Sequence, residues 1–223
     1  MTAVLGIFGG TFDPIHCGHL ELAREVRAAL NLAAVRFIPA GDPPHRAAPV
    51  APAMHRLAMV ELAIAGHPGL QVDTREIERR GRSYTVETLE ELCAEEPARI
   101  LALIVGGDAF LGFPGWHRWR ELFELAHVIV VARPGVTFEL ALPPELAAEW
   151  AARLRTDASA LATERAGGII VQPITAHAIA ASAIRAELAR GAEGIGAVRG
   201  LLPAAVLAYI DRNQLYRSRP DAA

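Results

Sequence analysis

The chain contains 223 residues, of which 52% are hydrophobic and 21% are charged, and its formal net charge is −3 at pH 7. This length and apolar content allow a substantial core, so we predict one domain over residues 1–217 and a disordered tail at 218–223. The acidic balance argues against nucleic acid or an anionic membrane surface as a partner.

Cysteine usage and hydropathy add two further exclusions. Cys17 falls inside a glycine- and histidine-containing motif and Cys93 inside a predicted helix, which argues against a disulfide framework. The chain does not open with a basic segment followed by an apolar run, and no stretch approaches ~20 consecutive apolar residues. We therefore expect a cytoplasmic protein without a membrane-spanning helix.

Apolar runs and amphipathic segments alternate along the sequence. The runs that predict strands lie at 3–8, 34–39, 70–73, 100–105, 127–132 and 168–172. The segments that predict helices lie at 19–30, 54–65, 86–95, 117–126, 183–190 and 203–212. Residues 137–166 are predicted to form a helical excursion before the last strand. This alternation predicts an α/β fold, in which helices cover both faces of a mostly parallel sheet.

If the strands follow the usual order of this fold class, two loops lie at one edge of the sheet. In the Rossmann-like order 3-2-1-4-5, with a later strand added, strands 1 and 4 are neighbours at the topological switch point. Ligands bind such sheets in the crevice beyond the carboxyl ends of these strands. The loops Gly9–His19 and Gly106–Asp108 then border one cleft, which favours a nucleotide site.

The stretch Gly9–Leu20, GGTFDPIHCGHL, joins the first predicted strand to the first predicted helix. Glycine permits a tight turn there, and the amides of a helix N-terminus can bind an anion. His16 and His19 are three residues apart, so in a first helical turn both rings face the same side. This pair indicates phosphate chemistry. The alternatives are structural histidines or zinc ligands, although the motif has no third or fourth ligand nearby. Asp13 is expected to be a local turn or cap residue.

A second motif, Ile179–Arg185, opens the helix predicted at 183–190. The hydroxyl of Ser182 falls where a helix N-terminus can bind phosphate, and Arg185 can make a two-pronged contact with phosphate oxygens. The alternatives are an ordinary N-cap for Ser182 and a surface ion pair for Arg185. The heptapeptide is a weak signal alone and a strong one together with the first motif.

The two motifs together resemble the His-x-Gly-His nucleotidyltransferase superfamily, and residues 9–20 are similar in particular to its nicotinate mononucleotide adenylyltransferase branch. The resemblance extends from residue 5 to about residue 217. It implies an enzyme of NAD biosynthesis that transfers AMP from ATP to nicotinate mononucleotide, giving deamido-NAD and pyrophosphate. Mg²⁺ is implied as an ion bound with ATP, because it neutralises the triphosphate, and no protein metal site is expected.

The resemblance implies roles for residues on the ATP side. His19 is implied to stabilise the pentacovalent α-phosphate, and His16 to contact the phosphate chain. Ala180 stands where the family has a serine, so one polar contact is absent. The other residues implied in ATP binding are Gly9, Gly10, Thr11, Phe12, Gly18, Gly106, Asp108, Arg133, Ser182 and Arg185.

The mononucleotide side is expected to draw on three segments. Two prolines stiffen the loop 38–46, which either presents basic groups to the cleft or is only a rigid surface loop. The block 73–85 ends in a Ser-Tyr-Thr element, whose tyrosine and backbone amides are expected to hold the nicotinate carboxylate. Trp116 is expected to offer a flat face to the pyridine ring. Thr85, the last residue of the block, is also a candidate helix cap. The residues are His45, Arg46, Tyr84, Thr85 and Trp116.

Other interpretations stay open at this point. The same fold can adenylylate phosphopantetheine or cytidylylate an alcohol phosphate, although the block 73–85 argues against both. A non-catalytic nucleotide sensor is disfavoured because both motifs are intact. Four arginines either bind a phosphate ligand or form a solvated face: Arg75, Arg79, Arg80 and Arg82. The sequence does not fix the oligomeric state or the preference between nicotinate and nicotinamide mononucleotide.

Overall fold

A computed structural model describes residues 4–43, 48–132, 141–175 and 179–217. Within these ranges, six strands form one parallel sheet with the order β3-β2-β1-β4-β5-β6. The strands are β1 Val4–Gly10, β2 Ala34–Pro39, β3 Leu70–Val72, β4 Ile100–Gly106, β5 His127–Ala132 and β6 Ile169–Pro173. The predicted α/β class, strand order and added strand are confirmed. The extent of the single domain stays a prediction, and the tail at 218–223 lies outside the described residues.

Helices connect successive strands. In the first half of the chain they are α1 Cys17–Ala29, α2 Ala53–Ile64, α3 Arg75–Glu78, α4 Thr85–Glu95 and α5 Gly107–Leu111. In the second half they are α6 Leu122–Leu125, α7 Pro144–Arg153, α8 Ala160–Thr163, α9 Ala181–Leu188, α10 Ala192–Ala197 and α11 Ala204–Arg212.

The prediction of a helix at 117–126 is wrong over most of this range. The chain there forms two 3-10 turns, Phe113–Gly115 and Trp119–Glu121, and becomes α-helical only in α6. Arg118 lies between the turns with φ of 50°, a left-handed conformation that interrupts the helical hydrogen-bond ladder. Apolar periodicity alone carries no signal for this break.

Apolar side chains alternate between the two faces of the sheet. In β1, Val4 and Phe8 belong to one buried cluster, whereas Leu5 and Ile7 belong to the other. The first cluster is completed by α1, α2, α9 and α11, and the second by α4, α6 and α7. Helices therefore cover both faces of the sheet, as predicted.

The pairing of β1 with β4 stops before either strand ends. It runs from Val4 opposite Ile100 to Ile7 opposite Leu103, although β1 continues to Gly10. β1 remains paired with β2 as far as its own last residue. A crevice therefore begins between the carboxyl ends of β1 and β4, where the first motif leaves the sheet.

The segment before β6 packs against the rest of the fold. Leu146 of α7 is fully buried, and the ring of Trp150 lies 5.8 Å from that of Phe110 in α5. Leu154 follows α7 and forms a parallel bridge with Ile169 of β6. The predicted helical excursion is thus present as α7 and α8, while residues 133–140 lie outside the described part.

A buried histidine joins the start of β5 to the loop before β6. Nδ1 of His127 accepts a hydrogen bond from the backbone N–H of Gly168 at 3.1 Å, and Nε2 lies 3.0 Å from the carbonyl oxygen of Glu164. Since a carbonyl oxygen requires a donor, the neutral ring carries its proton on Nε2. Burial lowers the pKa of His127 below its ordinary value of 6.5.

We predict that the free energy of unfolding decreases when the pH is lowered from ~7.5 to ~5.5, because the unfolded chain binds a proton that the folded protein resists at His127. The replacement His127→Gln keeps one acceptor and one donor but removes the titrating ring. Urea unfolding at both pH values should show a weaker pH dependence for this variant than for the wild type. Equal pH dependence in the two proteins would contradict the prediction.

Candidate active site

Aromatic packing shapes the loop between β1 and α1. Phe12 is buried with φ of 48°, and its ring meets that of His19 edge-on, with 5.2 Å between the centroids. A Cβ atom on Gly10 would lie 2.9 Å from the Phe12 ring, so a side chain there would displace the ring. A Cβ atom on Gly9 would meet no atom within 4 Å. Gly10 therefore shapes the loop, and Gly9 borders open space.

His16 and His19 lie face to face at the start of α1. Their ring centroids are 3.7 Å apart and their planes differ by 20°. The backbone N–H of His16, the N-cap residue, donates to Nδ1 of His19 at 3.2 Å. Because Nδ1 accepts this bond, the neutral ring of His19 carries its proton on Nε2, which is then a hydrogen-bond donor. The two residues predicted as catalytic therefore form one stacked pair.

His16 is buried and uncharged at neutral pH. Burial lowers its pKa from 6.5 to about 4. Its Nδ1 has no hydrogen-bond partner among the residues that the structure describes. An unpartnered buried polar atom costs ~1–3 kcal/mol, and such atoms are uncommon in proteins. The ring nitrogen therefore suits a contact with a bound ligand.

The first turn of α1 offers fewer amides to an anion than the sequence suggested. The N–H of Cys17 donates to the carbonyl oxygen of Leu201, and the N–H of His19 donates to that of His16, both at 2.9 Å. The expectation of free amides is therefore wrong for these two residues. The N–H of Gly18 has no partner within the described part of the chain.

The second motif contacts the first through Arg185. Nη1 of Arg185 donates to the backbone carbonyl of Asp13 at 2.7 Å and lies 4.0 Å from Oδ2 of the same residue. The structure thus brings the two motifs together. The N-cap residue of α9 is Ala180, so an N-cap role for Ser182 is wrong. Ser182 is exposed in the first turn of that helix.

Asp13 lies in a turn, as predicted, and its side chain is also a buried junction between distant segments. Its Oδ2 accepts the N–H of Val50 at 2.7 Å, and its Oδ1 accepts the N–H of Ala51 at 3.1 Å and the hydroxyl of Tyr216 at 2.7 Å. A buried carboxylate needs such donors because its removal from water is costly. One side chain thereby joins the histidine loop, the segment before α2 and the C-terminal segment.

Arg56 of α2 is a second buried junction. Its guanidinium donates to three carbonyl oxygens, at 2.7 Å for Thr11, 3.1 Å for Gly41 and 3.2 Å for Ala51. Burial lowers the pKa of Arg56, and the nearby charge of Asp13 opposes that shift. The loops after β1 and β2 are therefore held in fixed relative positions by one side chain.

Ser83 holds the loop after β2 against the block 73–85. Its hydroxyl accepts the N–H groups of Gly41 at 3.0 Å and Asp42 at 3.2 Å, and its own N–H donates to the Asp42 carbonyl at 2.9 Å. A Cβ atom on Gly41 would lie 2.1 Å from the carbonyl oxygen of Glu76, so the close approach of the two segments requires glycine.

Aromatic residues from two loops converge beside this contact. The ring of Tyr84 lies 4.4 Å from that of His117, and the neighbouring Trp116 packs on Phe113 with 4.8 Å between ring centroids. Tyr84 is the N-cap residue of α4, so the expectation that Thr85 caps this helix is wrong. Thr85 is the first helical residue instead.

Gly106 and Asp108 follow β4 on the other side of the crevice. A Cβ atom on Gly106 would meet no atom within 4 Å, and Asp108 is exposed in the first turn of α5. Three residues predicted for the site lie outside the described ranges: His45, Arg46 and Arg133.

Two arginines of the block 73–85 take part in partly buried ion pairs. Arg75 pairs with Asp73 and Glu95, each at 2.9 Å, and Arg79 pairs with Glu91 at 2.7 Å. Because their side chains are only 14% and 17% exposed, these two arginines do not form a solvated face. The other two arginines of the block are exposed.

The described ranges contain neither a metal cluster nor a membrane-spanning helix. They contain no group of three His, Cys, Asp or Glu side chains placed to hold a metal ion. None of the helices in these ranges is long and apolar enough to cross a membrane.

The sequence analysis gave no role to Arg56 or Tyr216 and did not predict the distant contacts of Asp13. Only Arg56 left a signal in the sequence. Arg56 lies on the buried face of α2 with Met59 and Val60, and an arginine at such a position indicates a satisfied internal cation. Asp13 and Tyr216 are 203 positions apart, and a hydrogen bond over that separation leaves no trace in local sequence.

Known proteins resemble this chain over nearly its whole length. A family model described as Cytidylyltransferase-like matches residues 7–187. A "Probable nicotinate-nucleotide adenylyltransferase" of Dechloromonas aromatica (strain RCB) is 49% identical over 220 residues, which cover 98% of this chain and 100% of the relative. A protein of Laribacter hongkongensis (strain HLHK9) with the same description is 50% identical over 219 residues, which cover 98% and 96%.

Solved structures support the fold. The nicotinic acid mononucleotide adenylyltransferase of Plasmodium falciparum, complexed with NaAD, matches with a TM-score of 0.70 at 15% identity, covering 96% of this chain and 97% of that one. The family model identifies the broad family, and the two bacterial relatives identify one group within it. The chain belongs to the cytidylyltransferase-like family and, within it, to the nicotinate-nucleotide adenylyltransferases.

Proposed function

We propose that this protein transfers AMP from ATP to nicotinate mononucleotide, giving deamido-NAD and pyrophosphate as a step of NAD biosynthesis. The observation that carries the proposal is the bond from Arg185 to Asp13, three residues before His16. A candidate phosphate-binding arginine and two stacked imidazoles therefore lie at the crevice where parallel sheets bind nucleotides. The names of the two close bacterial relatives support the same activity.

The histidine pair supplies hydrogen-bond donors to the phosphate oxygens. A phosphate oxygen of the mononucleotide attacks the α-phosphorus of ATP, the new P–O bond forms, and the bond to pyrophosphate breaks. Positioning and charge stabilisation account for most of the catalysis of such transfers. In this proposal, Nε2–H of His19 donates to the α-phosphate as negative charge develops. His16 contacts the phosphate chain through a ring nitrogen.

Residues of the second motif hold the leaving phosphates. Ser182 donates its hydroxyl, and Arg185 makes a charge-assisted contact with the β- and γ-phosphate oxygens. Ala180 has no side-chain acceptor to cap α9, so the amides of the first turn are available to the same anion. Gly9 and Gly106 leave space for the nucleotide, and Asp108 accepts hydrogen bonds from ribose hydroxyls.

The acceptor binds where the aromatic residues converge. Trp116 offers a flat face to the pyridine ring, and Tyr84 with the backbone of Thr85 holds the nicotinate carboxylate. The contact between Tyr84 and His117 supports this placement, because it connects the two loops that would surround the ring. Roles for His45, Arg46 and Arg133 stay predictions.

Mg²⁺ belongs to this proposal as an ion that enters bound with ATP. The triphosphate oxygens supply the hard ligands that Mg²⁺ prefers, and the ion neutralises the charge of the leaving pyrophosphate. The described side chains do not form a cluster that would hold a protein-bound ion, so we assign no step to one. A cytoplasmic location stays a prediction, and so does the absence of nucleic acid and membrane partners.

Replacing His19 with alanine removes the donor to the α-phosphate. We expect the turnover number for deamido-NAD formation to fall by ~10² or more, with a smaller change in the KM values. His67→Ala is a matched control, because His67 lies in the turn before β3, at the opposite end of the sheet. Near-normal turnover of His19→Ala would contradict the assigned role.

Trp116→Ala tests the acceptor site separately from the ATP site. Loss of the stacking face should raise the KM for nicotinate mononucleotide by ~10-fold and leave the KM for ATP little changed. Trp116→Phe, which retains a flat ring, should recover most of the affinity. An equal rise in both KM values would indicate that Trp116 shapes the cleft as a whole.

A further inference from the structure

We infer that Tyr216 is a positioning residue of the adenylyl-transfer site, acting through Asp13 on the loop that carries His16 and His19. The inference rests on the proposed function. Tyr216 follows α11 near the C-terminal end of the described chain, and its hydroxyl donates to Oδ1 of Asp13 at 2.7 Å. The C-terminal segment thus contacts the histidine loop through one specific bond.

The bond between these two side chains is buried. Tyr216 is 9% exposed and Asp13 is 6% exposed, so water competes little for either group. Hydrogen bonds to a carboxylate in such surroundings are short and strong. Burial and the neighbouring carboxylate raise the pKa of Tyr216, so its hydroxyl remains a donor at neutral pH.

The backbone at Tyr216 is also held in an uncommon conformation. Its φ is 64°, and that of Gln214 is 53°, in the left-handed region that side chains disfavour. The segment therefore turns sharply after α11, and this turn accompanies insertion of the tyrosine ring beside the loop. A conformation of this kind persists only when surrounding contacts determine it.

Asp13 transmits this restraint and does not contact substrate in the proposed mechanism. Both carboxylate oxygens already accept hydrogen bonds, from Val50, Ala51 and Tyr216. The backbone carbonyl of Asp13 accepts Arg185. If the hydroxyl of Tyr216 is removed, Oδ1 of Asp13 accepts only the N–H of Ala51, and this bond is longer than the one that is lost. The loop that carries both histidines and receives Arg185 would then be less restrained.

The chain offers a matched control on α11. The hydroxyl of Tyr209 lies 2.9 Å from Nδ1 of His55 in α2, and this bond does not involve the histidine loop. Tyr209→Phe and Tyr216→Phe remove the same chemical group from the same region of the fold. They differ in whether the lost bond reaches Asp13.

The test compares kcat, both KM values and urea unfolding for the wild type and the two phenylalanine variants. We expect Tyr216→Phe to lower kcat by ~10-fold with little change in KM, because a loosened loop misplaces the catalytic groups. Tyr209→Phe should leave kcat unchanged, with any loss confined to stability. In the double variant Tyr216→Phe with Asp13→Ala, kcat should equal that of Asp13→Ala alone, because alanine leaves no oxygen to accept the tyrosine hydroxyl.

Three outcomes would count against the inference. Equal kcat values for the two phenylalanine variants, or multiplicative losses of kcat in the double variant, would overturn it and leave the proposed function intact. A wild-type protein that forms no deamido-NAD would overturn the proposed function and this inference with it.

Discussion

The buried carboxylate of Asp13 is the constraint on which the geometry of the cleft depends. A carboxylate removed from water must be surrounded by donors, because an unpaired buried charge costs several kcal/mol. Its donors come from the segment before α2 and from Tyr216, and Arg185 of α9 bonds the carbonyl of the same residue. The chain satisfies this group only when distant segments close around the histidine loop. Assembly of the cleft therefore depends on contacts between segments that are distant in the sequence.

The parallel sheet decides where this loop lies, and burial decides what its histidines can do. Pairing between β1 and β4 stops at Ile7 and Leu103, which places the crevice beside the loop. His16 is neutral at physiological pH, since burial lowers its pKa to about 4. His19 accepts a bond at Nδ1, so its Nε2 is a donor. In the proposed mechanism both imidazoles contribute directed hydrogen bonds to the phosphate oxygens, and Arg185 contributes positive charge.

Sequence patterns predicted the elements that depend on local periodicity and missed those that depend on distant pairing. The run at 34–39 matches β2 residue for residue, because this buried parallel strand is apolar at every position except Arg36. The prediction of a helix at 117–126 is wrong because Arg118 adopts a left-handed conformation, which apolar periodicity does not reveal. Both motifs could be recognised in the sequence. The contact between them could not be predicted, because Asp13 and Arg185 are 172 positions apart and meet only in the folded chain.

The central claim, that the cleft transfers AMP from ATP to nicotinate mononucleotide, is tested most directly by measuring pyrophosphate release from magnesium-ATP. Nicotinate mononucleotide, nicotinamide mononucleotide and phosphopantetheine are offered separately as acceptors. We predict strong release with nicotinate mononucleotide, accompanied by an equal amount of deamido-NAD. Equal rates with both pyridine nucleotides would keep the reaction and remove the preference for the carboxylate. Release with phosphopantetheine alone, or with none of the three acceptors, would contradict the claim.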